Sequence, residues 1–116
     1  MSAIGTKAGL DEKEQVILVR AKLTYLFRTP MRRYRLNDRH AAGMGRAYSD
    51  EAIDAGEVLH ALARCTERQQ SALALCLGHG LRGEEAARVL GVSRPTVNRD
   101  IAEALEGIRC LVWEGP

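Results

Sequence analysis

The chain has 116 residues, of which 46% are hydrophobic and 28% are charged. This length accommodates one small domain with an additional segment, and it excludes a second large domain. The sequence has no apolar run near the roughly 20 residues that a membrane-spanning helix requires, and its first residues lack the apolar stretch of a secretory signal. We therefore expect a cytoplasmic protein without a membrane partner.

The net charge of +2 at pH 7 is unevenly distributed along the chain. Residues 1–50 contain ten Lys and Arg against five Asp and Glu, whereas residues 51–116 contain seven against ten. The total charge does not identify a nucleic-acid-binding protein. Its distribution concentrates the cations in the first half of the chain.

The first predicted helix runs from Asp11 to Phe27. Its opening turn is acidic, which suits the positive end of the helix dipole, and Thr29-Pro30 is expected to end it. Apolar residues recur at helical spacing, at Val16, Val19, Leu23 and Leu26. Such a helix packs either in a core or in a homodimer interface, and the sequence leaves both open.

A basic connector is predicted from residue 28 to residue 47. Its arginines are Arg28, Arg32, Arg33, Arg35, Arg39 and Arg46. Clustered cations bind nucleic acids by releasing counterions from phosphates, so Arg32, Arg33 and Arg35 are candidate phosphate contacts. A charge run of this kind is also typical of a solvated connector. We assign residues 1–48 to the N-terminal helix and this connector, and residues 49–116 to a separate domain.

Two helices are predicted in the first part of residues 49–116. Ser49, followed by two acids, is expected to cap a helix that ends at about Arg64. The residues that this helix should bury are Ile53, Val58, Leu59 and Leu62. Thr66 and Gln69 have the spacing of a capping box, which opens a leucine-rich helix that ends near Gly78.

Two further helices complete the predicted domain. One spans Gly83 to Leu90 and ends at Gly91, where a residue without Cβ adopts the positive φ of a tight turn. Ser93 is expected to cap the last helix, whose first turn tolerates Pro95. Its apolar stripe consists of Val97, Ile101, Leu105, Ile108 and Val112. The fold class is thus all-α, a tetrahelical bundle with an additional N-terminal helix.

Residues 84–97 have the layout of a helix-turn-helix. Small Ala87 allows the two helices to approach closely, and Val92 and Val97 are expected to fill the space between them. The exposed start of the last helix then presents Arg94, Thr96, Asn98 and Arg99. Arginine pairs with guanine, asparagine with adenine, and threonine with a phosphate or a thymine methyl, so this helix suits the major groove of double-stranded DNA.

Residues 61–109 resemble region 4 of sigma-70-type factors, particularly the extracytoplasmic-function branch. The resemblance rests on the motifs Thr66-Glu67-Arg68-Gln69, Gly80-Leu81, Glu85-Ala86-Ala87, Gly91-Val92-Ser93 and Thr96-Val97. The LuxR-type response-regulator output domain shares most of them. The resemblance implies that Arg94, Thr96, Asn98 and Arg99 read bases, and that Arg68, Arg82 and Ser93 contact phosphates.

The resemblance implies a stand-alone regulator of transcription of bacterial or phage type, associated with the nucleoid. A complete sigma factor also needs an aromatic-rich region that melts the −10 element, and the residues before position 50 are too few to supply one. Two alternatives remain open at this point. One is a factor bound to RNA polymerase, such as a phage antiterminator or late-gene activator, and the other is a small-terminase-like DNA-packaging protein.

Neither catalysis nor a cofactor is expected. Cys76 and His79 have a spacing that zinc sites use, but no second close pair accompanies them. His40 and His60 have no recognisable nucleophile motif near them, so we predict that the protein is not an enzyme. The odd number of cysteines, spread through helical sequence, indicates reduced thiols rather than a disulfide framework.

Overall fold

The computed structural model describes residues 9–28 and 53–115, and the regular structure in these ranges is entirely helical. The five α-helices are α1 (Glu12–Arg28), α2 (Ala55–Ala63), α3 (Glu67–Leu73), α4 (Gly83–Leu90) and α5 (Arg94–Trp113). Helix α3 continues into a π-helical turn, Ala74–Gly78. The predicted all-α helix-turn-helix fold is confirmed. None of the described helices is long and apolar enough to cross a membrane.

Helix α1 begins and ends one residue later than predicted. Asp11 and Glu14 fix its start, because each carboxylate accepts a hydrogen bond from the backbone N–H of the other residue, at 2.8 and 3.1 Å. At the other end, Arg28 Nε donates to the carbonyl oxygen of Leu77 at 2.8 Å. This bond ties the end of α1 to the π-helical turn.

Helix α2 differs from the prediction in its start and in one buried residue. The residue that caps it is Asp54, whose carboxylate accepts from the backbone N–H of Glu57 at 3.2 Å, and Ser49 lies outside the described residues. Ile53 is buried as predicted but precedes the helix. Leu59 is 48% exposed, so its predicted burial is wrong. Val58 and Ala61 define the buried face of α2, and Leu59 points about 100° away from Val58.

One apolar core joins α1 to the helices that follow it. Its buried residues are Val19, Leu23, Ile53, Val58, Ala61, Leu73, Leu77, Ala104, Leu105, Ile108 and Val112. The predicted stripe of α5 is confirmed, because Leu105, Ile108 and Val112 lie in this core, Ile101 is partly buried beside it and Val97 is buried elsewhere. The predicted division after residue 48 lies outside the described residues, but α1 shares its core with α2 and α5 rather than forming a core of its own.

A buried arginine fastens α1 to the end of α5. Arg109 is only 4% exposed, and its guanidinium donates to both carboxylate oxygens of Glu106, at 3.1 and 2.6 Å, and to Gln15 of α1 at 2.8 Å. The pairing with Glu106 raises the pKa of Arg109, and in return Arg109 lowers the pKa of Glu106. These hydrogen bonds offset the cost of burying the charge of Arg109, and the bond to Gln15 thereby stabilises the position of α1.

Candidate nucleic-acid interface

The turn between α4 and α5 is built as the sequence predicts. Gly91 has φ +72° and ψ +31°, the left-handed conformation in which glycine has no steric penalty. The backbone N–H of Val92 then donates to the carbonyl oxygen of Ala87 at 3.0 Å, which closes the end of α4. A Cβ on Gly91 would meet no atom within 4 Å. The glycine is therefore required for its backbone conformation and not for lack of space.

Small side chains bring α3, α4 and α5 together. Ala72, Ala86, Ala87 and Val97 form a second buried cluster, against which Val92 packs partly buried. Alanine at the contact keeps the helices close, since it adds little volume between their axes. The predicted roles of Ala87, Val92 and Val97 agree with this packing. Because the cluster includes α3, the helix-turn-helix is held by a third helix.

Ser93 fixes the start of α5. Its hydroxyl accepts from the backbone N–H of Thr96 at 3.3 Å, and Pro95 lies in the first turn, as predicted. The Ser93 and Thr96 hydroxyl oxygens also lie 2.9 Å apart, in a hydrogen bond. The hydroxyl of Thr96 is therefore engaged within the cap.

The four candidate base-reading residues lie in the first two turns of α5. Arg94, Asn98 and Arg99 are exposed, and Thr96 is half-buried. Arg94 and Asn98, one turn apart, both lie over Gly83 at the start of α4, where a Cβ would meet Asn98 Oδ1 at 3.3 Å and Arg94 Cγ at 3.5 Å. Arg99 points away from this pair by more than a quarter turn of the helix. The structure thus pairs Arg94 with Asn98 and sets Arg99 apart.

Arg68 makes an ion pair that sequence reasoning missed. Its guanidinium donates to both oxygens of Asp100, with Nε–Oδ2 at 2.6 Å and Nη2–Oδ1 at 3.2 Å. The Asp100 side chain is buried in α5, whereas that of Arg68 is 49% exposed. The hydrogen bond to Asp100 raises the pKa of Arg68. The signal in the sequence was a single acid, Asp100, directly after the hydrogen-bond donors at the start of α5. In the structure this acid pairs with Arg68 of α3.

The remaining phosphate candidates occupy different positions. Arg82 is exposed and precedes α4, and its backbone N–H donates to the Glu85 carboxylate at 2.8 Å. Ser93 is the cap already described. Arg32, Arg33 and Arg35 lie outside the described residues, and their phosphate contacts remain predictions.

The cysteines and histidines form no metal centre in the described part of the chain. No group of three His, Cys, Asp or Glu residues there has a geometry that would hold a metal ion. Cys76 is partly buried, which raises the pKa of its thiol, and His79 is exposed. His60 is exposed on α2, and His40 lies outside the described ranges.

Comparison with known proteins finds a family similarity over part of the chain. The family model of Sigma-70, region 4, matches residues 55–106, which extend from the start of α2 into α5. No curated protein and no solved structure matches the chain. Helix α1 lies outside the matched residues. Residues 55–106 are therefore similar to region 4 of sigma-70 factors, and this similarity indicates a DNA-binding helix-turn-helix role in transcription.

Proposed function

We propose that this protein is a sequence-specific regulator of transcription that reads the major groove of double-stranded DNA through the start of α5. The observation that carries the proposal is the exposure of Arg94, Asn98 and Arg99 on a helix whose start is fixed by the Ser93 cap and the Gly91 turn. A fixed start matters because direct readout requires donors at a defined position against the base edges. A regulator of this kind acts at the nucleoid.

The side chains have complementary chemistry for the major groove. Arg94 and Arg99 suit the O6 and N7 acceptors of guanine, and Asn98 suits N6 and N7 of adenine. The methyl group of Thr96, whose hydroxyl is held by Ser93, suits a thymine methyl. Because Arg94 lies beside Asn98 and Arg99 points elsewhere, we expect Arg94 and Asn98 to contact adjacent base pairs and Arg99 to contact a separate position.

The phosphate contacts extend the interface around the base-reading helix. Arg82 and the Ser93 end of α5 are proposed to contact the backbone of the DNA. Arg68 forms an ion pair with Asp100, but its side chain is 49% exposed, so we propose that it also contacts a phosphate. The arginines of the connector, Arg32 and its neighbours, would add salt-dependent affinity without specificity.

Selection of bound DNA from a random pool tests the proposal. We expect one sequence motif to be enriched, and its symmetry or asymmetry reports whether the protein binds as a homodimer. Arg94→Ala and Arg99→Ala should each weaken binding to the selected sequence by roughly 5- to 150-fold, the equivalent of about 1–3 kcal/mol, with little change on scrambled DNA. The matched control is Arg64→Ala, which removes an exposed arginine that directly follows α2 and is not among the proposed DNA contacts.

Two outcomes would contradict this function. Equal losses on selected and scrambled DNA would limit the two arginines to phosphate contacts, and no enriched motif would remove sequence-specific binding altogether. A parallel RNA polymerase pull-down separates the polymerase-bound alternative. In that case Arg94→Ala and Arg99→Ala would abolish DNA binding while polymerase binding persists.

A further inference from the structure

A groove lies between α1 and α5, on the side of the domain where α4 begins. Its volume is about 740 Å³. The polar part of its lining includes Arg20 from α1, Arg82 before α4 and Asn98 from α5, and its apolar part includes Val16, Leu81 and Ile101. Asn98 belongs to the base-reading set, so one wall of the groove is the proposed recognition helix itself.

The charge of the groove is positive. Two arginines line it, and none of its lining residues in the described part of the chain carries a carboxylate. No ion pair of the Arg20 or Arg82 side chain occurs among residues 9–28 and 53–115. Glu85, three residues after Arg82, has its carboxylate occupied by the backbone N–H of Arg82.

Helix α1 holds Arg20 in a defined place. Val19 and Leu23, on either side of it along the helix, are completely buried in the common core. The bonds of Arg28 to Leu77 and of Gln15 to Arg109 fix α1 at both ends. Arg20 itself is exposed. Because α1 is packed against the core, Arg20 is held at a defined position relative to the rest of the domain, which favours a specific contact.

We infer that this groove receives the sugar-phosphate backbone of the bound DNA, and that Arg20 of α1 contacts a phosphate there together with Arg82. The inference rests on the proposed function. Arginines suit the phosphates, and the apolar floor suits the deoxyribose between them. Since Asn98 forms one wall of the groove and faces the proposed base edges, the backbone bordering the same major groove passes beside Arg20. An acidic protein segment would match the charge but would compete with DNA for this wall.

Helix α1 thereby becomes part of the DNA-binding surface, although it lies outside the residues that match the sigma-70 region 4 family. Helix α1 would thus have two roles. Val19 and Leu23 pack it into the core, and Arg20 contacts the DNA.

The salt dependence of DNA binding tests this inference on the full chain. The variants are Arg20→Gln, Arg20→Lys and, as the matched control, Arg64→Gln, an exposed arginine outside the groove. With the selected DNA, Arg20→Gln should lower the slope of log affinity against log salt by about 0.9, the value for one phosphate contact. Its affinity should approach that of the wild type as salt rises, and its sequence preference should not change. Arg20→Lys should retain the slope, because a phosphate accepts either cation.

Each outcome decides the matter. An unchanged slope for Arg20→Gln, while the wild type binds its selected sequence, would overturn the inference and leave the proposed function intact; the groove would then be free for a protein partner. A loss of slope equal to that of Arg64→Gln would reduce Arg20 to a nonspecific charge and also overturn it. A wild-type chain that binds no DNA would contradict both proposals. Equal thermal unfolding of the variants and the wild type excludes a folding defect as the cause.

Discussion

Replacement of Gly91 and Gly107 by alanine should change stability in opposite directions. Gly91 ends α4 in the left-handed conformation, whereas Gly107 lies within α5 and is exposed. A Cβ at either position would meet no atom within 4 Å. The same added methyl group therefore has room in both places, and only the backbone conformation differs.

The magnitudes follow from that difference. The left-handed conformation costs an alanine roughly 1–2 kcal/mol, of which the stiffer unfolded chain offsets about 0.4–1 kcal/mol, so Gly91→Ala should lose about 1 kcal/mol. Asparagine tolerates this conformation better, and Gly91→Asn should lose less. Gly91→Val should lose most, because a β-branched residue is least compatible with positive φ. Gly107→Ala should gain about 1 kcal/mol, the difference in helix propensity.

Thermal and urea unfolding measure these changes. For a domain of roughly 60–100 residues, 1 kcal/mol corresponds to a shift of about 4–8 °C in Tm. The expected order of Tm is Gly107→Ala, wild type, Gly91→Asn, Gly91→Ala and Gly91→Val, from highest to lowest. A Gly91→Ala protein as stable as the wild type would refute the left-handed turn. A Gly107→Ala protein less stable than the wild type would refute the exposed helical position of Gly107.

Two more predictions concern the attachment of α1. Leu23→Ala should destabilise the domain by about 2–5 kcal/mol in urea unfolding, because Leu23 is fully buried in the common core, whereas Ile17→Ala on the same helix, 63% exposed, should be nearly neutral; equal effects would mean that α1 does not pack there. Arg109 lowers the pKa of Glu106, so the stabilisation from this pair should be complete above the ordinary glutamate pKa of about 4.5 and should be lost as the pH falls through the lowered value. The stability difference between the wild type and Glu106→Gln should therefore be largest at neutral pH and vanish in acid, and a difference independent of pH would contradict the ion pair.

The sequence predicts the features of the fold that depend on local chemistry. The caps at Thr66 and Ser93 and the left-handed glycine at Gly91 each satisfy backbone groups within a few residues, so their spacing alone identifies them. The stripe of α5 follows from helical periodicity in the same way. These local features define the helix-turn-helix, and for that reason Arg94, Asn98 and Arg99 are exposed at the start of α5 as expected. Thr96, also expected to be exposed, is partly buried.

The features that the sequence did not predict depend on contacts between distant segments. Asp100 and Arg109 carry charges that composition assigns to the surface, yet both are buried because partners from α3 and α1 reach them. Lys22 is buried with its amine 5.9 Å from the centre of the Tyr25 ring, a placement that no local pattern indicates. The groove that Arg20 and Asn98 both line likewise forms only when α1 docks against α5.

The most direct test of base reading in the major groove combines a protein variant with a modified base. Each guanine of the selected DNA is replaced in turn by 7-deazaguanine, which lacks the N7 acceptor that faces the major groove. We predict that one such replacement weakens binding of the wild type and has no further effect on Arg94→Ala, since the contact is already lost, and that another guanine behaves in this way with Arg99→Ala. Equal losses for the wild type and both variants at every guanine would contradict major-groove reading by the start of α5.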